Sequence, residues 1–444
     1  MYKIQKIDRP IPRRLILFSI PVASLIGALL LMLPACSTAA ISFLDAFFVA
    51  VSALCVNGLT TIPLTNFTEL GQLLLLIMMQ IGGLGIITIT LMVIASFVKT
   101  GLSTQIIASQ ILEIERYKDI KKLLITIITF TIVIELVGAG LLFLSIKALF
   151  PIKTAVFYAI FHAVSAFCNA GLSIFPENMA HLQLDHNLAF LSILSSLIFA
   201  GSLGFITWHE ILYFKQQKNN KLSLNSKLVF FMVIILITTF SILFLILEHN
   251  NAMSDYSLWQ KLYSSIFNAV AIRGSGLLSI DAETLQPATL LLLITSSFIG
   301  ASPGSTGGGI KTSAFIIFLA TARTAITNRN AVEIRKRRIP TQQVLRALTI
   351  ITMSIVWITI TTFCLLITEP EQSFLRLLFE ANSAFSMFGV SLGITSQLSF
   401  FGKILIIISM IFGRIGSLTL VLAFVKSNSD TQELSYPEEK LMLS

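Results

Sequence analysis

Four short segments of this chain share one pattern, and they decide its fold. They read Ser52-Ala53-Leu54-Cys55-Val56-Asn57-Gly58, Ser165-Ala166-Phe167-Cys168-Asn169-Ala170-Gly171, Val270-Ala271-Ile272-Arg273-Gly274-Ser275-Gly276 and Ser383-Ala384-Phe385-Ser386-Met387-Phe388-Gly389. An alanine stands five positions before each final glycine, and a large apolar residue stands four positions before it. Because the final glycines are 113, 105 and 113 residues apart, the pattern predicts four copies of one structural unit.

The composition limits the class of protein. Of the 444 residues, 55% are hydrophobic and 12% are charged, whereas an ordinary soluble domain is about 25% charged. This excludes a soluble enzyme, a disordered chain and a secreted disulfide scaffold, and it is typical of a protein that crosses a membrane several times. The four cysteines lie in apolar stretches without metal-ligand spacing.

Two kinds of apolar segment alternate along the chain. The longer kind is sufficient to cross a bilayer as a helix, and eight such runs lie near 14–34, 70–98, 122–149, 187–213, 227–247, 287–323, 343–367 and 401–425. The shorter kind lies near 44–56, 156–169, 262–273 and 374–387. A short apolar helix followed by irregular backbone is typical of a re-entrant loop. Short helices on the outer surface are the alternative.

The predicted fold is an all-α polytopic membrane protein of eight transmembrane helices, in which four helix–pore loop–helix repeats surround a pseudo-fourfold ion pore. The repeats are 1–98 with its loop near 44–60, 99–215 with its loop near 156–173, 216–325 with its loop near 262–278, and 326–444 with its loop near 374–391 and a cytoplasmic tail. One such unit encloses nothing, but four around an axis enclose a path with their glycines facing one another.

Charge predicts the orientation. The N-terminus, the connections between repeats and the C-terminal tail hold 23 of the 31 Lys and Arg. By the positive-inside rule both termini are cytoplasmic, and the short segments enter the cell membrane from outside. The outer side has a net charge near −6, which would concentrate cations. The basic run Arg335-Lys336-Arg337-Arg338 could contact anionic membrane lipid or an acidic partner, although topology alone also explains it.

The glycine positions indicate a site for a dehydrated monovalent cation. Such an ion needs a ring of oxygen ligands, which backbone carbonyls supply when the chain runs extended. Glycine permits unusual dihedral angles and leaves room for the ion. The short helix before each loop directs its partly negative C-terminal end to the centre. Turn glycines without a pore are the alternative, and four in register argue against it.

Three cations lie at membrane depth, namely Arg273, Lys311 and Arg414. Arg273 precedes its glycine by three residues, and facing the path it would repel cations. We therefore expect it behind the loop, bonded to loop carbonyls or to an acid such as Glu380. Arg414 lies within the last apolar run. It could act in the ion path, or its side chain could instead snorkel to the membrane surface or bond a neighbouring helix.

The sixth apolar run is interrupted by Gly300-Ala301-Ser302-Pro303-Gly304-Ser305-Thr306-Gly307-Gly308-Gly309-Ile310-Lys311-Thr312. Five glycines and a proline do not continue a stable helix. Beneath the glycines, such a loop could move and act as a gate. A phosphate-binding loop is excluded, because Ile310 separates the Gly from the Lys and no soluble βα unit precedes it.

Further phrases carry a resemblance to a known family. They are Gln80-Ile81-Gly82-Gly83-Leu84-Gly85, Gly204-Phe205 with Trp208-His209-Glu210, and Gly413-Arg414-Ile415-Gly416. With the four loops and the eight runs, the chain resembles the Trk/Ktr/HKT superfamily of potassium transporters over nearly its whole length, and within it the membrane subunit of bacterial Ktr systems.

The resemblance implies roles for particular residues. The implied selectivity filter, binding potassium through carbonyls, consists of Asn57, Gly58, Ala170, Gly171, Ser275, Gly276, Phe388 and Gly389. The implied gate consists of Gly304, Gly307, Gly308, Gly309 and Lys311, with Arg414 as an electrostatic barrier below the filter. In that family, glycine in all four repeats goes with potassium selectivity, and serine in the first goes with sodium-favouring relatives.

The resemblance also implies partners. These are a second copy of the chain in a homodimer and a separate cytosolic ring of RCK-type nucleotide-binding subunits. No cofactor in this chain and no nucleic acid are expected, and no catalytic triad or dinucleotide fingerprint occurs. Potassium is the expected transported ion, with sodium open as a coupling ion.

Three loops depart from the family pattern. The third has Gly274-Ser275 where Thr-Ala is more usual, the first has Asn57 where a small hydroxyl residue is common, and the fourth has Met387-Phe388. The extra glycine could loosen the third loop. A sodium-preferring or weakly selective relative, for example one accompanying a sodium-translocating ATPase, therefore remains the alternative function.

Overall fold

The computed structural model of the chain describes residues 13–85, 120–175, 184–214 and 222–416. Within these ranges the protein is helical apart from one two-stranded hairpin. In chain order the elements are α1 Arg13–Leu31, α2 Phe43–Cys55, α3 Glu69–Leu84, α4 Ile120–Ile146, α5 Ile152–Cys168, α6 Leu188–Ser202, α7 Phe205–Leu212, α8 Leu224–Glu248, α9 Leu258–Ala271, α10 Pro287–Phe298, α11 Thr312–Ile326, β1 Glu333–Ile334, β2 Arg337–Arg338, α12 Thr341–Thr368, α13 Phe374–Ser386 and α14 Phe400–Ile415. Four short 3-10 turns lie at Leu64–Asn66, Leu184–His186, Ala282–Thr284 and Thr395–Gln397.

Three described helices are long and apolar enough to cross a membrane, at Leu124–Ile146 in α4, and in α8 and α12. The pair α6 and α7, bent by 96° at a two-residue break, would make a fourth. The eight predicted spans therefore stay a prediction. The predicted runs 70–98 and 401–425 extend beyond the described residues, as do both termini, whose predicted orientation falls on 1–12 and 417–444.

The four short segments of the sequence pattern form helices α2, α5, α9 and α13. Three of them begin at a serine that caps the helix, since the side chains of Ser42, Ser257 and Ser373 accept hydrogen bonds from backbone N–H groups of the first turn. The remaining one, α5 in the second repeat, begins directly after Pro151. We call these four the pore helices.

The helices pack in a cyclic order. Each pore helix packs against the helix before it. The first α-helix after each pore helix packs on the pore helix of the next repeat, in the pairs α3 with α5, α6 with α9, α10 with α13, and α14 with α2. Because the fourth contact returns to the first repeat, the four units form a closed ring.

Burial follows this arrangement. The pore helices lie at the centre, where Phe48, Phe167, Phe267 and Phe379 are fully buried. The three longest spans instead expose large aliphatic side chains outward, since a third or less of each span is buried inside the protein. Apolar side chains on the outside and at the centre are expected when hydrocarbon surrounds the molecule.

Candidate functional site

The four glycines of the repeats lie together at the centre. A Cβ placed on Gly58 would be 3.2 Å from the Cα of Gly389 and 3.4 Å from the Cα of Gly171. One on Gly171 would be 2.6 Å from the Cα of Gly276. All four have positive φ, between 66° and 108°, which favours glycine. We call this set the glycine ring.

Carbonyl oxygens are interleaved with the glycines. Each belongs to the residue before a glycine and contacts the glycine of the preceding repeat. The pairs, with the distance from the oxygen to a Cβ placed on the glycine, are Ala170 O with Gly58 at 2.8 Å, Ser275 O with Gly171 at 2.5 Å, Phe388 O with Gly276 at 3.1 Å, and Asn57 O in contact with Gly389. The eight residues implied as a filter therefore lie in one closed ring, and a side chain on any glycine would collide with an oxygen.

The turn that leads into the ring has a positive φ in every repeat. Val56, Asn169 and Met387 end their pore helices in the left-handed region, with φ of 61°, 59° and 59°. In the third loop that position is Gly274, with φ of 122°. The extra glycine, expected to loosen this loop, thus occupies the position where the backbone most favours it.

In three of the four repeats, a serine six positions before the glycine bonds the loop to its pore helix. Ser52 Oγ accepts from Gly58 N at 3.0 Å. Ser165 and Ser383 instead donate to the carbonyls of Leu172 and Val390, at 2.7 and 2.6 Å. The third repeat has Val270 there. These bonds hold the backbone on either side of the ring.

Asn57 departs from the family pattern, and its side chain bonds a different repeat. Its Nδ2 donates to the carbonyls of Ser383 at 3.2 Å and Ala384 at 2.9 Å, at the end of α13. The residues are 326 and 327 positions apart in the chain. The asparagine therefore joins the first and fourth repeats behind the glycine ring.

The glycine-rich break predicted in the sixth run lies between α10 and α11, and we call it the 299–311 loop. It passes directly against the third and fourth pore loops. A Cβ placed on Gly274 would be 3.5 Å from Gly308 N, and Gly308 contacts the Met387 side chain. Ala301 N donates to Gly308 O at 3.0 Å, so the loop folds back on itself. Gly304 and Gly309 have positive φ, of 65° and 72°.

Two cationic side chains hold adjacent carbonyls of this loop. Lys311 Nζ donates to Gly307 O at 2.7 Å, and Arg414 Nη1 donates to Thr306 O at 2.8 Å. Arg414 also donates through Nη2 to Gly82 O. Arg414 thus connects the fourth repeat to the third and the first. Two positively charged side chains bond the backbone of the loop.

Thr306 is the most heavily bonded residue of the loop. Its Oγ1 donates to Phe167 O at 3.0 Å and accepts from Asn169 Nδ2 at 2.7 Å, both at the end of α5. Its backbone N–H donates to Gly201 O at 3.2 Å. Sequence reasoning did not single out Thr306, because its partners are more than 100 residues away.

Arg273 and Glu380, predicted as structural charges near the filter, are both buried but do not pair. Arg273 is 3% exposed, and its Nε and Nη2 have no hydrogen-bond partner in the described part of the chain. Glu380 accepts from Ser391 Oγ at 2.8 Å and from Thr395 Oγ1. Of the two kinds of partner expected for Arg273, the acid Glu380 is therefore not one. Glu380 instead anchors the chain that leaves the fourth pore loop.

A second set of glycines was not predicted. In three repeats, glycine contacts the carbonyl four residues before the ring glycine, in the pairs Gly82 with Leu54 O, Gly201 with Phe167 O, and Gly413 with Phe385 O. Three residues later, one or two positions past the end of each helix, a glycine has positive φ, namely Gly85, Gly204 and Gly416. This Gly-x-x-Gly recurrence is visible in the sequence once the repeats are aligned on their second helices.

The chain matches known proteins over almost its full length. The family model described as TrkH, cation transport protein, matches residues 18–435. This chain belongs to the TrkH family. The potassium/sodium uptake protein NtpJ of Enterococcus hirae is 35% identical, over 97% of each chain. The Ktr system potassium uptake proteins B of Vibrio alginolyticus and Bacillus subtilis are 34% and 31% identical, over 97% and 98% of this chain and 94% and 97% of theirs.

The crystal structure of the potassium transporter TrkH from Vibrio parahaemolyticus has the same fold. It matches with a TM-score of 0.77, covering 96% of this chain and 87% of that one, at 17% identity. As a member of the TrkH family the chain is a membrane-embedded cation transport protein, and it is not an enzyme.

Proposed function

We propose that this TrkH-family protein takes up potassium into the cell, and that the glycine ring is its selectivity filter. The observation that carries the proposal is the closed ring in which four carbonyl oxygens alternate with four glycines. Carbonyls arranged this way replace the hydration shell of a monovalent cation. No side chain intrudes, because each glycine lies against an oxygen or a Cα of a neighbouring repeat.

The proposal includes a gate. Through Gly308 the 299–311 loop contacts Gly274 and Met387, the turn residues that lead into the glycine ring. The loop is held by Lys311 and Arg414. In this position two cations stand on the exit side of the ring, where they oppose the passage of another cation. Opening then requires the loop to release these bonds. The gate thus combines a steric and an electrostatic barrier.

The wider assembly is also a proposal. The Ktr relatives named above are each one protein of a Ktr system, which supports a multi-component assembly. In our proposal this chain is the membrane subunit, with eight spans and cytoplasmic termini, and it acts as a homodimer with a cytosolic RCK-type nucleotide-binding ring. The transported potassium is then the ligand of this chain, and sodium is a candidate coupling ion. No step in this proposal uses a bound cofactor.

A second candidate function is sodium-preferring or weakly selective uptake. It is favoured by the 35% identity to the Enterococcus hirae protein, whose name includes both potassium and sodium. Such a protein could accompany a sodium-translocating ATPase. Glycine in all four ring positions favours potassium.

Uptake of rubidium and potassium by bacterial cells that lack their own potassium uptake systems tests the proposal. Gly58→Ser is compared with wild type, with and without sodium and a candidate cytosolic ring. A serine at φ of 108°, with its Cβ 2.8 Å from Ala170 O, must displace that oxygen. We expect saturable potassium uptake in wild type and loss of the preference over sodium in the variant.

Gly140→Ser is the matched control, because a Cβ at this helical glycine meets nothing within 4 Å. It should transport like wild type. Sodium flux without potassium uptake, unchanged by Gly58→Ser, would contradict the filter assignment and support the second candidate. The comparison of uptake with and without sodium shows whether potassium uptake is coupled to sodium.

A further inference from the structure

The basic run singled out in the sequence forms a rigid hairpin, and we call residues 332–339 the basic hairpin. Strands β1 and β2 pair Glu333 with Arg338 and Ile334 with Arg337. The turn residues Arg335 and Lys336 have φ of 48° and 62°. Two positive φ values are what a two-residue turn needs to match the twist of its strands, and glycine or asparagine usually supplies them.

Using Arg and Lys at these positions carries an energetic cost. An observed strained backbone of this kind is a reason to look for function. Here the strained turn places four consecutive cations on a short hairpin. A turn that contained glycine would carry fewer charges. All four, Arg335 to Arg338, are exposed.

The hairpin is held at the edge of the apolar belt. The guanidinium carbon of Arg335 lies 5.8 Å from the ring centroid of Phe231, a cation–π distance. Phe231 is in the second turn of α8 and is 53% exposed on its outer surface. On the other side, α12 begins at Thr341, immediately after the hairpin. Because α8 and α12 are both apolar enough to cross a membrane, the four cations lie where these spans begin, which is the depth of lipid headgroups.

The surrounding charge is not neutralised. Residues 323–346 contain seven Arg and Lys and a single acid, Glu333. Among the described residues, the ion pairs shorter than 4 Å are Lys153 with Glu69 and Lys403 with Asp45, both away from this region. The cluster therefore has a net charge of +6 and no ion pair with the described chain.

We propose that the basic hairpin, together with the lipid-facing surface at Phe231, is a binding site for the headgroup of an anionic phospholipid. Planar guanidinium groups bind phosphate oxygens in bidentate fashion. Exposed apolar side chains beside the cations, at Ile326 and Leu345, fit acyl chains rather than water. An acidic cytosolic protein would not need an arginine stacked on a lipid-facing ring. This lipid site does not depend on the ion selectivity of the chain, so its test is independent of the test of the filter.

Binding of phosphatidylglycerol and phosphatidylcholine to the purified full-length protein tests this site, by native mass spectrometry and by titration in detergent. The variant is Arg335→Gln/Lys336→Gln/Arg337→Gln/Arg338→Gln. Each cation near an anionic surface contributes about fivefold in affinity, so we expect more than about 100-fold weaker phosphatidylglycerol binding. Phosphatidylcholine binding should be weak throughout, and added salt should weaken wild-type binding.

Two further variants separate the effect of the hairpin charges from other effects. Lys153→Gln/Arg376→Gln removes two cations far from the hairpin and should leave phosphatidylglycerol binding unchanged. Phe231→Ala leaves every charge in place and should weaken binding by only about two- to fivefold. Thermal melting of each variant shows whether the fold is intact, so a loss of binding in a folded variant supports the site.

Three outcomes would overturn the proposal. The first is equal phosphatidylglycerol binding by the hairpin variant and wild type. The second is binding of inorganic phosphate as strong as that of phosphatidylglycerol, which would assign the site to a free anion. The third is a hairpin variant that keeps the lipid but no longer binds a purified RCK-type ring, which would make the hairpin a protein-docking surface.

Discussion

Two helix breaks lie side by side under the glycine ring, and they are built differently. In the second repeat, α6 ends at Ser202 and α7 resumes at Phe205 after a bend of 96°. In the third repeat, α10 and α11 are separated by the whole 299–311 loop. The first break changes the direction of a helix, whereas the second inserts irregular backbone across the centre.

The short break depends on the long one. A helix interruption leaves backbone groups without partners, and these must be satisfied at membrane depth. Ser302 N donates to Ser202 O at 3.2 Å, and Phe205 N donates to Gly304 O at 2.8 Å. With Thr306 bonded to Gly201 O, the loop satisfies three backbone groups of its neighbour. Movement of the 299–311 loop therefore requires new partners, such as water, for the second repeat.

The largest expected effect is that of Gly204→Ala. Gly204 has φ of 95°, and a Cβ there would be 2.6 Å from Pro303 O. Strain and collision together should destabilise the protein by about 3 kcal/mol. Gly304→Ala, on the loop side of the same contact, has φ of 65° with only the Ile206 side chain nearby at 3.6 Å. It should cost about 1 kcal/mol.

Thermal melting of the two purified variants measures this difference. Equal destabilisation by Gly304→Ala and Gly204→Ala would contradict this prediction. It would mean that the 299–311 loop tolerates an added side chain no better than the short break does.

Thr306→Val removes the hydroxyl that bonds Phe167 O and Asn169 Nδ2 while keeping the side-chain shape. Phe167 O and Asn169 Nδ2 then keep only the longer bond between them, at 3.3 Å, and the loop loses both of its side-chain bonds to α5. This loss should weaken the observed position of the loop by about 1–3 kcal/mol. If that position is the closed gate, its loss should raise rubidium uptake roughly tenfold for each 1.4 kcal/mol. Initial uptake rates in cells give the measurement.

Thr321→Val is the control, because its hydroxyl bonds a carbonyl of its own helix, Ile317 O at 2.8 Å. Its uptake should equal that of wild type. Unchanged uptake in Thr306→Val at reduced stability would show that the loop is structural and does not limit flow.

A double-mutant cycle of Lys311→Met and Arg414→Met tests whether the two cations act together on the loop. They hold the adjacent carbonyls of Gly307 and Thr306. Residues that restrain one segment are not additive, and we expect a coupling energy of about 1 kcal/mol in melting measurements. Additive effects would mean that each cation restrains a separate part of the protein.

The smallest effect is expected for Ser302→Ala. The Ser302 N–H makes the contact with Ser202 O, whereas its Oγ is buried without a partner in the described residues. Removing an unpaired hydroxyl should change the melting free energy by less than about 0.5 kcal/mol. A loss larger than that of Thr306→Val would show that side chains, not backbone, join the two breaks.

Local patterns in the sequence predicted the elements that depend on neighbouring residues. The pore helices, the register of the four glycines and the interruption near 300 all follow from composition and spacing. Contacts between repeats did not follow. Asn57 with the end of α13, Thr306 with the end of α5, and the absence of an Arg273–Glu380 pair depend on how distant segments pack, and the spacing of residues along the chain does not contain this information. The Gly-x-x-Gly recurrence is visible in the sequence, but its contact with the pore-helix carbonyls depends on packing.

The glycine ring has a rotational sense. Each glycine lies against the carbonyl of the following repeat, and the contact between the fourth and the first closes the cycle in the same direction. A side chain introduced in one repeat therefore displaces an oxygen that belongs to another. In a pore of four identical chains, one substitution alters all four positions at once. In this single chain the four oxygens can be displaced one at a time, so the ion preference of the proposed filter can be adjusted in steps.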